Sequence, residues 1–408
     1  MTRVAPPDTP DAPDASSGAA VETFRALLTG PGQDLLASLR DYDPDREIAV
    51  ATRLRRDHPA PLVSAALTQA RLRQRAAAKF GPDAAWMYFT PHGVEQATRA
   101  PVADRRAQRF AALGVRRIAD LCCGIGGDAL ALARAGISVL AVDRDPLTCA
   151  VAEANAERAG LSDLIDIRRA DVGDTDISGH DAVFIDPARR GGRGRVFDPE
   201  AYSPPLSWAV EVAGRMSHAA LKTGPGIPHE AVPGNAEAEW VSDGGEVKEA
   251  VLWFGTGSPG VRRATLLPGG HTLTGSGAPV GVTGPPGRYL YEPDGAVIRA
   301  HLVAEVAARV NGRLLDPSIA YIASDDLLPT PFATAYEITD ALPFNLKRLR
   351  ALLRERQVGT VTIKKRGFAM TPEELRRKLR LDGVNSCTVL LTRAAHTPMM
   401  LLGHPARA

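Results

Sequence analysis

Residues 115–143 read VRRIADLCCGIGGDALALARAGISVLAVD. An apolar stretch that ends near Asp120 precedes a cluster of glycines and a run of alanines and leucines at helical spacing. Gly136 follows that run, and a second apolar stretch ends at Asp143. This order predicts a strand, a glycine turn, a helix that ends at Gly136, and a second strand. A strand–helix–strand unit of this kind is typical of a parallel sheet.

The same alternation continues toward the C-terminus, where apolar periodicity predicts another helix (145–160), two further strands (164–171 and 180–187) and a later single helix (294–312). We therefore predict an α/β fold: a Rossmann-like, doubly wound, mostly parallel sheet with an N-terminal helical region and a small C-terminal α+β domain. The predicted segments are a disordered tail (1–20), the helical region (21–114), the sheet domain with its extension (115–312) and the C-terminal domain (313–408).

Composition favours a soluble globular protein, since 44% of the 408 residues are hydrophobic and 24% are charged. The cysteines (Cys122, Cys123, Cys149 and Cys387) form no C-x-x-C pair and no disulfide framework, which favours a reduced, cytoplasmic setting. We interpret the adjacent Cys122 and Cys123 as small buried residues that point to opposite sides of a strand, and we expect no metal site. Without an apolar run of about 18 residues, we expect no membrane span.

Charge is distributed unevenly along the chain, although the net charge is only +2. From Leu346 to Ala408 there are 14 Lys and Arg against 4 Asp and Glu, whereas the other residues carry 35 against 43. A basic C-terminal module on an acidic body is typical of an arm that binds a polyanion. A solvated helix face explains the same charges, so both interpretations remain open.

The glycines of the first turn indicate a nucleotide-like ligand. An open parallel sheet binds ligands at the carboxyl ends of its strands, where Gly124, Gly126 and Gly127 fall. The segment from Gly124 matches G-x-G-x-x-A, and Asp143 follows 19 residues later. Glycines and an acid at this spacing suit NAD as well as S-adenosylmethionine. They do not by themselves distinguish the two cofactors.

Further acids at successive strand ends favour S-adenosylmethionine. Asp120 would meet the α-amino cation of that cofactor, whereas it would repel the pyrophosphate of NAD. Asp171 is placed to accept a hydrogen bond from an adenine amino group, and Asp186 ends the strand where a methyl acceptor would arrive. The predicted cofactor site consists of Asp120, Gly124, Gly126, Gly127, Asp143, Arg144, Asp171 and Val172.

With these motifs, residues 115–255 resemble a class I S-adenosylmethionine-dependent methyltransferase. The segments GVEQAT (93–98), FIDPARRGGRGRVFDPEAYSPPL (184–206) and LKTGPGIP (221–228), together with the basic C-terminal unit, resemble bacterial methyltransferases with a THUMP-like C-terminal domain. The resemblance implies S-adenosylmethionine as cofactor, methyl transfer as the reaction and RNA as a partner. It also implies that Glu95, Gln96 and Thr98 border the cofactor pocket, although the sequence alone equally permits a helix cap there.

The segment Asp186-Pro187-Ala188-Arg189 is similar to the fourth-strand motif of amino-methyltransferases, including the trimethylguanosine synthases. Those enzymes carry an aromatic residue where this chain has Arg189, and a guanidinium can also stack on a base. We therefore predict Asp186, Pro187 and Arg189 as catalytic residues. D-P-A-R also occurs in 5-methyluridine RNA methyltransferases, which use a later cysteine nucleophile. Cys387 stands among apolar neighbours, and we predict that it is a core residue.

Basic residues near this motif and in the C-terminal unit suggest RNA contacts. The predicted substrate-binding residues are Arg190, Arg193, Lys364, Lys365 and Arg366. For the arginines of 188–197, a flexible surface loop is an equally open interpretation. Phe368 is the aromatic residue in the basic stretch, so recognition of the RNA backbone or of structured RNA fits better than a stacking platform. The favoured function is methylation of a base in ribosomal or transfer RNA. The alternatives are a methyltransferase for a small molecule or protein, an NAD-dependent oxidoreductase, and a non-catalytic RNA-binding module.

Overall fold

The structure, a computed structural model of the chain, describes residues 15–188, 190–191, 194–195, 198–279 and 281–406. The chain divides into two compact units, Met1–Lys222 and Thr223–Ala408. The division falls inside the stretch predicted as one sheet domain (115–312), and the helical region predicted at 21–114 shares the first unit with the parallel strands. Among the described residues, no helix is both long and apolar enough to cross a lipid bilayer.

The first unit begins with helices. They are α1 (Ala15–Leu28), α2 (Gly30–Ser38), α3 (Glu47–Leu54), α4 (Ala60–Phe80), α5 (Pro91–Gln96) and α6 (Ala100–Ala112). Helix α1 starts inside the stretch predicted as a disordered tail (1–20). Its first residues, ASSGAA, include good helix formers, and Phe24 and Leu27 anchor the helix in the core.

A parallel sheet with flanking helices follows. Its elements are β1 (Arg117–Leu121), α7 (Gly127–Arg134), β2 (Ser138–Asp143), α8 (Pro146–Arg158), β3 (Ile165–Arg169), β4 (Ala182–Ile185), the two-residue antiparallel pair β5 (Arg190–Gly191) and β6 (Gly194–Arg195), α9 (Leu206–Ala213) and β7 (His218–Thr223). The parallel strands lie in the order β7-β4-β1-β2-β3. The chain moves from β1 to one side and then returns to its other side with β4, so the strand order reverses between β1 and β4. The predicted doubly wound α/β fold is confirmed.

Local sequence explains why these strands and helices form. Strands β1 and β4 are almost wholly buried, as expected for parallel strands covered on both faces. Helix α8 begins at Pro146, and the side chain of Asp145 accepts a hydrogen bond from Thr148 N at 2.7 Å. Proline in the first helical position and an aspartate N-cap both stabilise the start of a helix. The result is a rigid sheet whose carboxyl edge carries the predicted site.

The second unit contains two groups of strands. The first group is β8 (Glu237–Asp243), β9 (Glu246–Phe254), β10 (Arg262–Leu267) and β11 (His271–Gly275). The second is β12 (Tyr289–Pro293), α10 (Gly295–Arg299), α11 (Val303–Arg309), β13 (Arg313–Asp316), β14 (Ile319–Ser324), β15 (Ala333–Pro343), α12 (Leu346–Glu355), β16 (Val358–Lys365), α13 (Pro372–Leu379), β17 (Asn385–Ala394) and β18 (Thr397–Pro405). The strands of this second group lie in the order β13-β14-β12-β15-β18-β17-β16.

Two features of the second unit differ from the sequence-based expectation. Strand β12 lies between β14 and β15, so this sheet starts at Tyr289 and not within the C-terminal domain predicted from residue 313. The single helix predicted at 294–312 is divided into α10 and α11. His301, between them, has φ of 57°, a left-handed conformation that ends α10. Apolar periodicity continues through this break and therefore conceals it.

Candidate active site

The turn from β1 to α7 requires glycine at two positions. Gly124 has φ of 57° and Gly126 has φ of 82°, which L side chains rarely adopt. Space around Gly124 is open, whereas a Cβ on Gly126 would lie 3.4 Å from the Cβ of Ala152 on α8. Gly126 is also the residue that precedes α7, so the glycine turn presents the start of that helix at the edge of the sheet.

Replacing Gly126 with alanine should damage both stability and cofactor binding. We expect the free energy of unfolding to fall by about 1–2 kcal/mol, because a left-handed backbone strains any residue with a Cβ. S-adenosylmethionine affinity should fall as well, since relief of this backbone strain would shift the turn at the start of α7. Gly136→Ala is the matched control: its φ is 81°, with open space around it. Urea unfolding and calorimetric titration of the two variants measure the effects, and equal loss of affinity in both would contradict this role.

Asp143 and Asp171 lie at the ends of neighbouring parallel strands. One carboxylate oxygen of Asp143 accepts a hydrogen bond from Gly124 N and the other accepts one from Asp145 N, both at 3.0 Å. Asp171 is exposed and its carboxylate accepts a hydrogen bond from Gly173 N at 2.8 Å. Arg144 is exposed and Val172 is partly buried beside these acids. The structure thus brings both predicted acids to one edge and makes Asp143 a brace for the glycine turn.

Asp120 is buried without a hydrogen-bond partner. Its exposed fraction is 0%, and neither carboxylate oxygen has a partner within the described part of the chain. Burial raises the pKa of Asp120 well above its ordinary value, and the charges of Asp128 and Asp186 add to this rise. Arg106 and Lys222 act in the opposite direction. A ligand that places a cationic group beside Asp120 would give the carboxylate both a hydrogen-bond donor and an opposite charge.

Asp186 is held in place by a lysine that the sequence analysis did not select. Lys222 Nζ lies 2.6 Å from Asp186 Oδ2 and 2.8 Å from Thr98 Oγ1. The exposed fraction of Lys222 is only 3%, so this ion pair is largely shielded from water. The available signal was a lysine inside the apolar strand HAALKT (218–223), because a buried lysine requires a partner. Thr98, expected only to border the cofactor pocket, is linked to Asp186 through Lys222.

Backbone contacts fix the segment around Asp186. Asp186 N donates to Leu121 O at 3.2 Å, which joins the ends of β4 and β1. Pro187 is buried, and Ala188 and Ser203 exchange two backbone hydrogen bonds of 2.9 and 3.1 Å. Arg189 and Arg193 lie outside the described residues, and only the backbone of Arg190 is described, in β5.

The basic residues predicted to bind substrate in the second unit already have intramolecular partners. Lys364 forms an ion pair with Glu292, and Arg366 Nη2 lies 3.5 Å from the other carboxylate oxygen of Glu292. Lys365 is exposed, and its ammonium group lies 3.4 Å from Phe368 O. Sequence could not reveal this arrangement, because Glu292 on β12 is distant from β16 along the chain. Of the three, Lys365 presents its charge most directly to solvent.

The cysteines behave as structural thiols. Cys123 and Cys387 are buried, as predicted, and Cys149 is buried as well, whereas Cys122, which was predicted to be buried, is only partly buried. Strand β1 ends at Leu121, so Cys122 and Cys123 lie in the turn and do not flank a strand. Burial raises the pKa of each thiol, to about 12 for Cys149, which disfavours the nucleophilic thiolate. Cys387 lies in the core of the C-terminal sheet, which confirms its predicted role.

Comparison with known proteins identifies the family. Over 335 residues the chain is 37% identical to an uncharacterised S-adenosylmethionine-dependent methyltransferase of Mycobacterium tuberculosis, covering 79% of this chain and 90% of that protein. The chain is an S-adenosylmethionine-dependent methyltransferase. The cofactor predicted from the strand-end acids is thereby confirmed, and the predicted NAD alternative is not supported.

Family models and solved structures add detail to this methyltransferase. Residues 115–197 match the RNA cap guanine-N2 methyltransferase family, residues 333–405 match a THUMP domain-like family, and residues 20–76 match a domain of unknown function. A structure of a putative methyltransferase from Porphyromonas gingivalis W83 has a TM-score of 0.75 at 22% identity and covers 96% of this chain and 99% of that one. The fold is therefore shared along nearly the whole chain.

A third similarity involves an RNA-modifying enzyme. The chain is 33% identical over 123 residues to the 23S rRNA (uracil(1939)-C(5))-methyltransferase RlmD of Edwardsiella ictaluri, covering 28% of this chain and 27% of that enzyme.

The residues at the sheet edge suit the cofactor of the family. Among the described residues, Asp128, Asp186, Arg106 and Lys222 have the largest charge effects on Asp120. Arg106 pairs with Asp128 and Lys222 with Asp186, so an ionised Asp120 has no positive charge of its own among these groups. The α-amino group of S-adenosylmethionine carries that charge, and the unpaired carboxylate oxygens can accept its hydrogen bonds.

Proposed function

We propose that this methyltransferase transfers a methyl group from S-adenosylmethionine to a base of ribosomal or transfer RNA. The observation that carries the proposal is the Asp186 carboxylate, fixed at the end of β4 in the region that matches the RNA cap guanine-N2 methyltransferase family. The THUMP domain-like match at 333–405 and the partial similarity to RlmD support RNA as the substrate. So does the excess of 14 basic over 4 acidic residues from Leu346 onward.

Cofactor binding would use the edge formed by β1, β2 and β3. Asp120 would hold the α-amino group, and Asp143 with its neighbour Arg144 would lie at the ribose. Asp171 and Val172 would contact the adenine, and the backbone of Gly124, Gly126 and Gly127 would pass close beneath the ligand. When bound, S-adenosylmethionine supplies an electrophilic methyl group on a sulfonium. The protein's contribution is alignment in a pocket from which water is excluded.

Asp186 would act on the methyl acceptor. An exocyclic base amine can donate a hydrogen bond to the Asp186 carboxylate, which orients the nitrogen lone pair and provides a place for the proton that methylation releases. Lys222 keeps the carboxylate in position and Pro187 restricts the approach. We assign to Arg189 a stacking contact with the base, and to Arg190 and Arg193 contacts with phosphates.

Lys222 is a positioning residue in this scheme. Replacing it with methionine removes the ion pair while keeping the length of the side chain, so Asp186 can rotate away from the acceptor. We expect kcat to fall about 10- to 100-fold, with little change in the KM for S-adenosylmethionine, and Lys222→Arg to recover part of kcat. Steady-state kinetics of both variants test this. A purely structural role would leave the kcat of the folded protein unchanged, or would change kcat and the KM for S-adenosylmethionine together.

Mapping of modified nucleosides tests the proposed function. Ribosomal and transfer RNA from cells with and without this gene product are digested and compared by mass spectrometry. We expect one methylated nucleoside to disappear without the protein and to return with the wild-type chain but not with Asp186→Asn. An unchanged nucleoside profile, with labelled methyl appearing on a small molecule or a protein, would reject RNA as the substrate.

A further inference from the structure

Three aromatic rings form a column in the second unit. The ring centroids of His301 and His229 are 3.8 Å apart with an interplanar angle of 33°, and those of His229 and Trp240 are 5.1 Å apart at 32°. Trp240 is 1% exposed, His229 is partly buried and His301 is exposed. The column therefore begins in the core and ends at the surface with one imidazole.

Hydrogen bonds hold the base of this column rigidly. Trp240 Nε1 and Arg299 Nη1 both donate to the carbonyl oxygen of Pro225, each at 3.1 Å. Pro225 belongs to the segment GPGIP (224–228), which leads directly into His229. Trp240 and the segment that leads into His229 are thus held in place before any ligand arrives, which reduces the entropy lost on binding.

The backbone at His301 is strained. Its φ of 57° places it in the left-handed region immediately after α10, a position where glycine is usual. The left-handed backbone conformation is less favourable for histidine than for glycine. A strained residue with an exposed ring at the end of a stack suggests a function for that ring.

Charge around the column suits a nucleic acid. Burial and the nearby charges of His301 and Arg262 lower the pKa of His229 to about 4, and burial and Arg262 lower that of His301. Both imidazoles are therefore neutral aromatic rings at neutral pH, and the local positive charge belongs to Arg262 and Arg299. Glu230, which is exposed beside His229, adds a negative charge near these two arginines.

We propose that the column formed by His301, His229 and Trp240 is a stacking platform for one unpaired base of single-stranded RNA. The base would stack on the exposed face of His301, and Arg262 and Arg299 would lie near the adjoining phosphates. Unstacked RNA bases bind in this way to aromatic side chains, histidine included, and every base offers a flat face. The inference rests on RNA as the substrate in the proposed function and adds a binding site outside the basic C-terminal stretch.

Binding of RNA to the full chain tests this inference. A short fluorescein-labelled single-stranded RNA of mixed sequence is titrated with protein, and anisotropy reports the dissociation constant. We expect His301→Ala to weaken binding about 5- to 150-fold, which corresponds to about 1–3 kcal/mol for one stacked base, and His301→Trp to bind at least as well as wild type. The loss should persist at higher salt, because stacking depends less on charge than phosphate contacts do.

Two further variants separate stacking from folding. His396→Ala is the matched control, since His396 is also exposed, has φ of 67° and lies in the same unit; we expect its affinity to be unchanged. His301→Gly relieves the left-handed strain, so it should unfold at higher urea and still bind RNA weakly. If wild type binds RNA and His301→Ala binds equally well, the platform is rejected and the proposed function stands. If wild type binds no RNA at all, both proposals fail.

Discussion

Asp186→Asn should lower kcat by about two to four orders of magnitude while the affinity for S-adenosylmethionine remains close to wild type. The change keeps the shape of the side chain but removes the negative charge that Lys222 Nζ approaches at 2.6 Å. An amide cannot take the proton released by an acceptor amine, and general acid–base groups contribute rate factors of this size. Transfer of radiolabelled methyl to RNA from cells lacking the protein measures the rate, and calorimetric titration measures cofactor binding.

A surface aspartate provides the control for Asp186. Asp176 is exposed, and its carboxylate accepts a hydrogen bond from Ser178 N at 2.9 Å, in a turn of the same unit. Asp176→Asn should leave kcat unchanged. Full turnover by Asp186→Asn would show that the acceptor loses its proton without help from this carboxylate, and the proposed role would then be abandoned.

Asp120→Asn should produce the second large effect: loss of cofactor affinity together with a gain in stability. The buried carboxylate has no hydrogen-bond partner in the described residues, so its ionisation destabilises the native state. Asparagine removes that cost, and we expect the free energy of unfolding to rise by about 1–3 kcal/mol at neutral pH. S-adenosylmethionine should bind about 10- to 100-fold more weakly, because the α-amino group loses a charge-assisted hydrogen bond.

The pH dependence of this effect has a definite sign. The raised pKa means that native Asp120 retains a proton that the unfolded chain releases. Native stability due to this group is therefore highest below the ordinary aspartate pKa of about 3.9, and it falls as pH rises toward the raised native value. The stability advantage of Asp120→Asn should grow over the same interval. Conversely, S-adenosylmethionine should bind wild type more tightly as pH rises, because the ligand cation favours the ionised carboxylate.

Urea unfolding and calorimetry at mildly acidic and mildly alkaline pH measure both trends. Asp166→Asn is the control, since Asp166 is exposed on β3 and pairs with Arg168 at 2.7 Å. Its stability and cofactor affinity should match wild type at each pH. If Asp120→Asn binds S-adenosylmethionine as tightly as wild type does, Asp120 does not hold the α-amino group.

The glycine turn and the acids at the strand ends could be predicted because their signals are local. Gly124 and Gly126 adopt the left-handed backbone that the motif requires, and Asp143 and Asp171 end neighbouring strands. Pairing of the parallel strands then brings residues that are far apart in the sequence to the same edge of the sheet. The order of apolar segments was therefore sufficient for the α/β fold and for placing the predicted cofactor residues at one edge of the sheet.

Contacts between distant side chains could not be predicted in the same way. The partners of Lys222 are Asp186 and Thr98, and no spacing rule connects these three positions. Charge counts indicated a basic C-terminal unit but could not show that Lys364 and Arg366 share Glu292. The sequence analysis also did not identify the stacked rings, because His229, Trp240 and His301 come from separate segments.

Thr98 has a consequence for how this enzyme can be divided. It precedes α6, in the helical part of the first unit, and its hydroxyl accepts a hydrogen bond from Lys222. From the same part, Arg106 pairs with Asp128 on α7 and lies over the ring of Phe184, 4.2 Å from its centroid. A chain trimmed to the parallel strands, or those strands grafted onto another scaffold, would keep the glycine turn. Lys222 would then lose its contact with Thr98, and Asp128 would lose its ion pair with Arg106. The helical part of the first unit therefore supplies contacts on which the proposed site depends.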